Sequence, residues 1–234
     1  MIKILPALVV AITPVAAMAA VPASKSTVAM ALKLPFENRM SALKQQGGGA
    51  IKNLEEIAFS PNQNLQSRWR AITAIGQFGP KQSQPILAKA LESKQWFMRN
   101  AATVALVHSD RSWALKKAKV LLDDPALVVR TAAVNAISKH NGSELSPFLW
   151  HKLYSAENYR NGKSLWVRRH IAKALVEMGG AGDEPKFIGL LKDKDESLHA
   201  LAIQGLEKIM KHKTRAKDLK EKRRVWLAWW SRYS

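Results

Sequence analysis

The sequence predicts an all-α fold, an α-solenoid of about five stacked helical hairpins with flanking N- and C-terminal helices. Three observations carry this. An arginine-centred pattern recurs at a fixed interval, each copy sets small and apolar residues at helical spacing, and turn-forming residues separate the copies. With Arg68, Arg99, Arg130 and Arg168 as reference positions, and His199 in the fifth copy, the intervals are 31, 31, 38 and 31 residues. One interval is a full period with seven residues added. A fixed period over several units marks a repeat array, in which no unit buries its apolar face alone and neighbours must stack.

The first segment, MIKILPALVVAITPVAAMAA, combines Lys3, an apolar stretch over residues 4–15 and small residues at Ala17 and Ala19. That is the pattern of a secretory signal peptide over residues 1–19, with a mature start at Ala20. The stretch is short for a transmembrane helix and is interrupted by Pro6 and Pro14, which disfavours the alternative of an uncleaved anchor. The implied localisation is periplasmic or secreted. Residues 20–49 form a lead-in: SKSTVAMALKLP reads as flexible, FENRMSALKQQ as one helix, and the glycines at 47–49 as a break.

The array proper spans residues 50–210. First helices are expected at 50–59, 81–91, 112–122, 144–154 and 184–191, and a second helix follows around each reference residue. Six residues after the reference stand Ala74, Ala105, Ala136, Ala174 and Gly205; seven after stand Ile75, Leu106, Ile137, Leu175 and Leu206. Three after stand Ala71, Ala102, Ala133, Ile171 and Ala202, completing one helical face. Small side chains there let backbones approach closely, and the Ile or Leu fills the groove between helices. SPNQN, DDP, HNGS and GGAGDEP break the chain between helices. The seven added residues fall within SAENYRNGKS, residues 155–164, read as a tolerated surface loop. Insertions in solenoids often sit on the binding face, so Tyr159 and Arg160 at its tip are the recognition alternative.

The pattern VRxxAAxAL, seen in LDDPALVVRTAAVNAI and WVRRHIAKAL, resembles the second helix of a HEAT repeat of the short bacterial kind. Five copies agree in phase, while the Gly-Tyr and Thr-Pro-Leu-His signatures of tetratricopeptide and ankyrin repeats are missing. The resemblance implies that Arg68, Arg99, Arg130 and Arg168 form a structural ladder with acidic residues of the inter-helix turns. Asp124 and Asp193, each six residues before a reference position, suit that role, since partly buried arginines need partners. An anion-binding track is the alternative. The resemblance also implies that second helices line a concave surface. Offsets one and five then present Trp69, Thr73, Asn100, Val104, Thr131, Asn135, Arg169, Lys173 and Gln204 to a partner.

Residues 211–234 are read as a basic, Trp-rich capping helix. Leu219, Arg223, Trp226, Trp230 and Tyr233 fall on one helical stripe, with Trp229 alongside. Similar tails close other bacterial HEAT-like proteins, and the last unit of a solenoid must be covered. The alternative is a basic amphipathic helix on a membrane surface. The chain carries a net charge of +19, or +18 without Lys3, and residues 208–232 supply an excess of eight. Such a field favours anionic partners.

With no cysteine in the chain, disulfides, thiolate metal sites and cysteine nucleophiles are excluded. No zinc-protease, nucleophile-elbow or phosphate-loop motif is present, and GGGA and GGAG read as linkers. His108 and His140, with Asp110, read as helix-end capping in preference to a metal site. Asp193, Asp195 and Glu196 read as a solvated turn before a helix. No catalytic residue, metal or cofactor is expected. The expected function is an exported, monomeric, non-enzymatic scaffold for an acidic protein or peptide. One alternative is a nucleic-acid-binding protein of the alkylpurine DNA glycosylase type. Trp69, Trp96, Trp113 and Trp166 and the charge suggest it, but no tryptophan–aspartate constellation matches and the signal opposes it. Another is a membrane-surface adaptor. Phycobilin lyases, also HEAT-like, act on pigment proteins, which does not suit an exported chain.

Overall fold

The computed structural model describes residues 23–233; the expected signal peptide at 1–19 and the side chain of Tyr233 lie outside what it describes. Two lead-in helices, α1 (Lys25–Ala31) and α2 (Phe36–Gln45), precede five hairpins. These pair α3 (Gly49–Phe59) with α4 (Leu65–Ile75), α5 (Pro80–Leu91) with α6 (Trp96–Ala105), and α7 (Arg111–Leu121) with α8 (Leu127–Lys139). The last two pair α9 (Ser146–Leu153) with α10 (Val167–Met178) and α11 (Glu184–Leu190) with α12 (His199–Ile209). Helix α13 (Leu219–Tyr233) ends the described chain. The architecture is an all-α solenoid in which the second helices α4, α6, α8, α10 and α12 pack successively against one another.

The helix starts follow from local chemistry. The Asn64 side chain accepts from the Ser67 amide at 2.8 Å, and Asp110 accepts from that of Trp113 at 3.0 Å, satisfying amides that the first turn leaves unpaired. Pro80, Pro147 and Pro185 occupy first turns, where a missing N–H costs nothing. A single apolar cluster runs from Val28 through every hairpin to Trp226. The column Ala74, Ala105, Ala136 and Ala174 is buried throughout, as close helix approach requires. Its fifth member is glycine for a steric reason. A Cβ on Gly205 would sit 2.5 Å from the Phe187 ring of α11.

Two segments differ from expectation. SKSTVAMALKLP, expected to be flexible, contains α1. Ser24 Oγ accepts from the Thr27 amide at 3.1 Å and Thr27 Oγ1 from the Ser24 amide at 3.0 Å, a reciprocal cap that a Thr completes in place of the usual Glu or Gln. Val28, Ala31 and Leu32 are buried, and α1 packs on α2 and α3. The insertion is a hairpin: β1 (Tyr159–Arg160) pairs antiparallel with β2 (Lys163–Ser164) across Asn161 and Gly162. Both turn residues have positive φ, 51° and 71°, the geometry of a tight two-residue hairpin turn that favours Asn-Gly.

Candidate functional site

The arginine column runs along the turns between first and second helices. Each arginine reaches at least one carbonyl at the end of its own first helix or in the turn after it, and a side-chain acceptor in the next unit. Arg68 donates to the Ala58 carbonyl at 2.9 Å and to Gln95 Oε1 at 2.8 Å. Arg99 holds Asp124 by two bonds, Nε–Oδ2 at 2.6 Å and Nη2–Oδ1 at 2.9 Å. Arg130 donates to Asn158 Oδ1 at 3.0 Å and to the carbonyls of Asp124 and Glu157, both at 2.8 Å. Arg168, with none of its side chain exposed, holds Asp193 at 2.6 and 3.2 Å and donates to the Leu153 carbonyl at 2.8 Å. His199 stands in the fifth place, its Nε2 2.9 Å from the Asp193 carbonyl.

Asp193 therefore belongs to a buried ion pair, not to the solvated turn that DKDE suggested. Burial pushes its carboxyl upward, but the hydrogen bonds from Arg168 and from the Asp195 amide outweigh that and hold it below the ordinary aspartate range. Asn158 was not legible from the repeat pattern. It is buried inside the insertion, accepts from Arg130, and donates to the Lys152 carbonyl at 2.7 Å. Six residues before Arg168, the place that Asp124 and Asp193 hold in their own units, stands Gly162, so the hairpin supplies the acceptor for Arg130 from its own base.

The inner-face residues divide into two groups. Trp69 Nε1 donates to Asn100 Oδ1 at 3.0 Å, and Asn100 donates to the Val128 carbonyl at 3.0 Å, so both tie neighbouring units together. Thr73 and Thr131 return their hydroxyls to carbonyls of their own helices, and Thr131 is buried. Thr131 presents nothing to a partner, because it is buried and its hydroxyl is spent on the Leu127 carbonyl. Asn135, Arg169, Lys173 and Gln204 are exposed.

Asn135 and Lys173 lie in a groove of about 650 Å³ across α6, α8 and α10. Val104, Val107 and Ala132 give it an apolar floor, and Ser138, Lys139, His170 and Glu177 complete the wall. Glu177 is bonded to the Ser138 hydroxyl and lies 3.9 Å from Lys173, so its charge is partly spent inside the groove. Burial lowers the pKa of the His170 imidazole, and the Lys173 and Arg169 charges lower it further. Lys139, Ser138, His170 and Glu177 occupy offsets two, eight and nine, which a reading of offsets one and five alone passes over. Among the described residues no group of three or more histidine and acidic side chains could hold a metal ion. His140 Nε2 sits 2.8 Å from the Leu106 carbonyl, tying adjacent helix ends.

Residues 51–138 match the family described as HEAT repeats. No curated protein matches the sequence. An engineered protein of known structure is 18% identical over 80% of this chain and 89% of its own, with a TM-score of 0.51. The Escherichia coli protein YibA is 15% identical over 88% of this chain and 76% of its own, with a TM-score of 0.53. The complex of CpcE and CpcF of phycocyanin lyase from a Nostoc species is 14% identical over 95% of this chain and 99% of that one, at a TM-score of 0.44. At these identities the first two likenesses show a shared HEAT-like fold and nothing of function.

The end of the HEAT-like array is covered by α13. Trp226 is 2% exposed, stacks edge-on against Trp229 at 5.6 Å and His212 at 6.3 Å, and belongs to the core cluster. Trp229 and Trp230 are partly buried against that cluster. Arg223 donates to the Leu191 carbonyl at 2.6 Å, binding α13 to the end of the fifth hairpin's first helix. Leu219, placed on the same stripe by sequence, is 44% exposed at the first position of the helix. Among the described residues no helix is long and apolar enough to cross a membrane.

Proposed function

We propose that this chain is an exported, non-enzymatic HEAT-like scaffold that holds an acidic protein or peptide against its concave face. One observation carries the reading: the groove across α6, α8 and α10 has an apolar floor and unbalanced bases. Lys139 and Lys173 face one acid, Glu177, already engaged with Ser138. Apolar contact along Val104 and Ala132 would supply affinity, and the bases would select acidic partners and speed their approach.

Export is part of the proposal and rests on the pattern of residues 1–19. Protein recovered from the native host should begin at Ala20 by N-terminal sequencing; recovery with Met1 retained would remove export from the reading. Partner binding is tested by retention of envelope proteins on immobilised protein. A Lys139→Glu/Lys173→Glu variant should lose the acidic partner that the wild type retains. Equal retention by both proteins would exclude the groove.

A further inference from the structure

A second recess lies at the edge of the array, between the 159–164 hairpin and the turn from α11 to α12, with an open volume of about 850 Å³. We infer that this cleft is a binding site for a short acidic peptide segment carrying an aromatic or apolar anchor residue. The inference does not depend on what the concave groove binds.

Four observations converge. The hairpin wall is preformed: its Asn-Gly turn is tight, and its base is fixed by buried Asn158, whose carbonyl accepts from the Leu165 amide at 2.9 Å. A site that needs no ordering keeps more of its contact energy as affinity. The second is aromatic surface. Tyr154 and Trp166, both lining the recess, are 49% and 52% exposed, and such rings are the usual anchors of recognition surfaces. Tyr159 is the more closely committed ring, 4.5 Å from the Arg168 guanidinium against 5.6 Å for Tyr154.

The third is charge. Lys163, Arg169, Lys192 and Lys194 line the cleft, and none forms an ion pair among the described residues. Its two carboxylates are occupied, Asp193 by Arg168 and Asp195 by the amide and hydroxyl of Ser197. The fourth is Gly189, which lines the cleft from within α11. A Cβ there would meet nothing within 4 Å, and its φ is not positive, so neither packing nor backbone geometry calls for glycine. Glycine inside a helix is unfavourable, and here its effect is to widen the recess. Bases with exposed rings also suit a nucleic acid, but a DNA sugar–phosphate backbone offers no hydrogen-bond donor to the Asp193 and Asp195 carboxylates that line the cleft. A peptide's N–H groups can use the remaining lone pairs of those carboxylates, while its acidic side chains meet the lysines.

The test is fluorescence anisotropy with a fluorescein-labelled Glu-Glu-Phe-Glu-Glu peptide, with a labelled thymidine pentanucleotide as the competing chemistry. The full-length protein should bind the peptide more tightly than the oligonucleotide. Gly189→Leu and Trp166→Ala should each weaken peptide binding about tenfold or more. Lys139→Glu/Lys173→Glu, in the concave groove, should leave it within about twofold, which separates this site from that one. Gly189→Leu should melt at the same temperature as the wild type or higher, so lost binding is not lost folding. Absent peptide binding, unchanged affinity in Gly189→Leu, or tighter binding of the oligonucleotide would each overturn the inference.

Discussion

Arg168 carries its charge with no side-chain exposure, and among the described residues Asp193 and Asp195 balance it. Removing Asp193 would strand a buried cation, so Asp193→Asn should cost about 3 kcal/mol or more in chemical denaturation. The pair also sets an acid limit. The folded-state pKa of Asp193 is depressed, so its stabilisation is present above the ordinary aspartate pKa of about 4 and is lost as pH falls through the lower folded value. The wild type should therefore lose stability on that acid limb more steeply than Asp193→Asn. A double-mutant cycle tests the same logic at Arg99 and Asp124. Each single alanine should cost about 1–3 kcal/mol, with the double variant short of the sum by about 1 kcal/mol. Additivity would mean the two side chains act independently. The positions of these arginines were legible because period alone places them. Two of their partners, Asp124 and Asp193, were legible as acids, but not the arginine each serves, because each pairs with the preceding unit: Asp124 faces Arg99, and only its carbonyl meets Arg130. Gln95 and Asn158 fill the same place with different chemistry, which no single-column reading reveals.

Among the elements, α13 decides between a cap and a surface-seeking tail. A cap places Trp226 in the core, and its truncation to alanine should cost about 3–5 kcal/mol. Deleting residues 216–234 would uncover the apolar end of the fifth hairpin, and the product should aggregate or melt far earlier. A truncated chain as soluble and stable as the parent, but no longer binding anionic vesicles, would make α13 a membrane-surface helix instead. Helices of the array were readable from period and breakers, with ends displaced by only a residue or two. Helix α1 was missed because its cap pairs Ser with Thr, and its apolar face of Val28, Ala31 and Leu32 is too short to show a period. The hairpin was missed for the opposite reason. Asn161 and Gly162 announce a turn, but the strands beside them are two residues each, too short to alternate.

Across the whole molecule, a net charge of +19 makes association with any acidic partner dependent on ionic strength. The fold fixes where that charge can act in concert with apolar surface, and the concave groove is one such place. Its legibility was partial. Asn135 and Lys173 were placed on the inner face by offset, but Thr131 shares an offset with Arg169 and is buried, its hydroxyl returned to the Leu127 carbonyl of its own helix. The central claim, that the concave groove is where the partner lies, is tested most directly by site-specific photocrosslinking in the native host. A photoreactive residue would replace Asn135 in the groove or Val120, which is 69% exposed on first helix α7. The account predicts a crosslinked acidic protein from position 135, absent from position 120 and lost with Lys139→Glu/Lys173→Glu. The same product from both positions, or from position 120 alone, would contradict it.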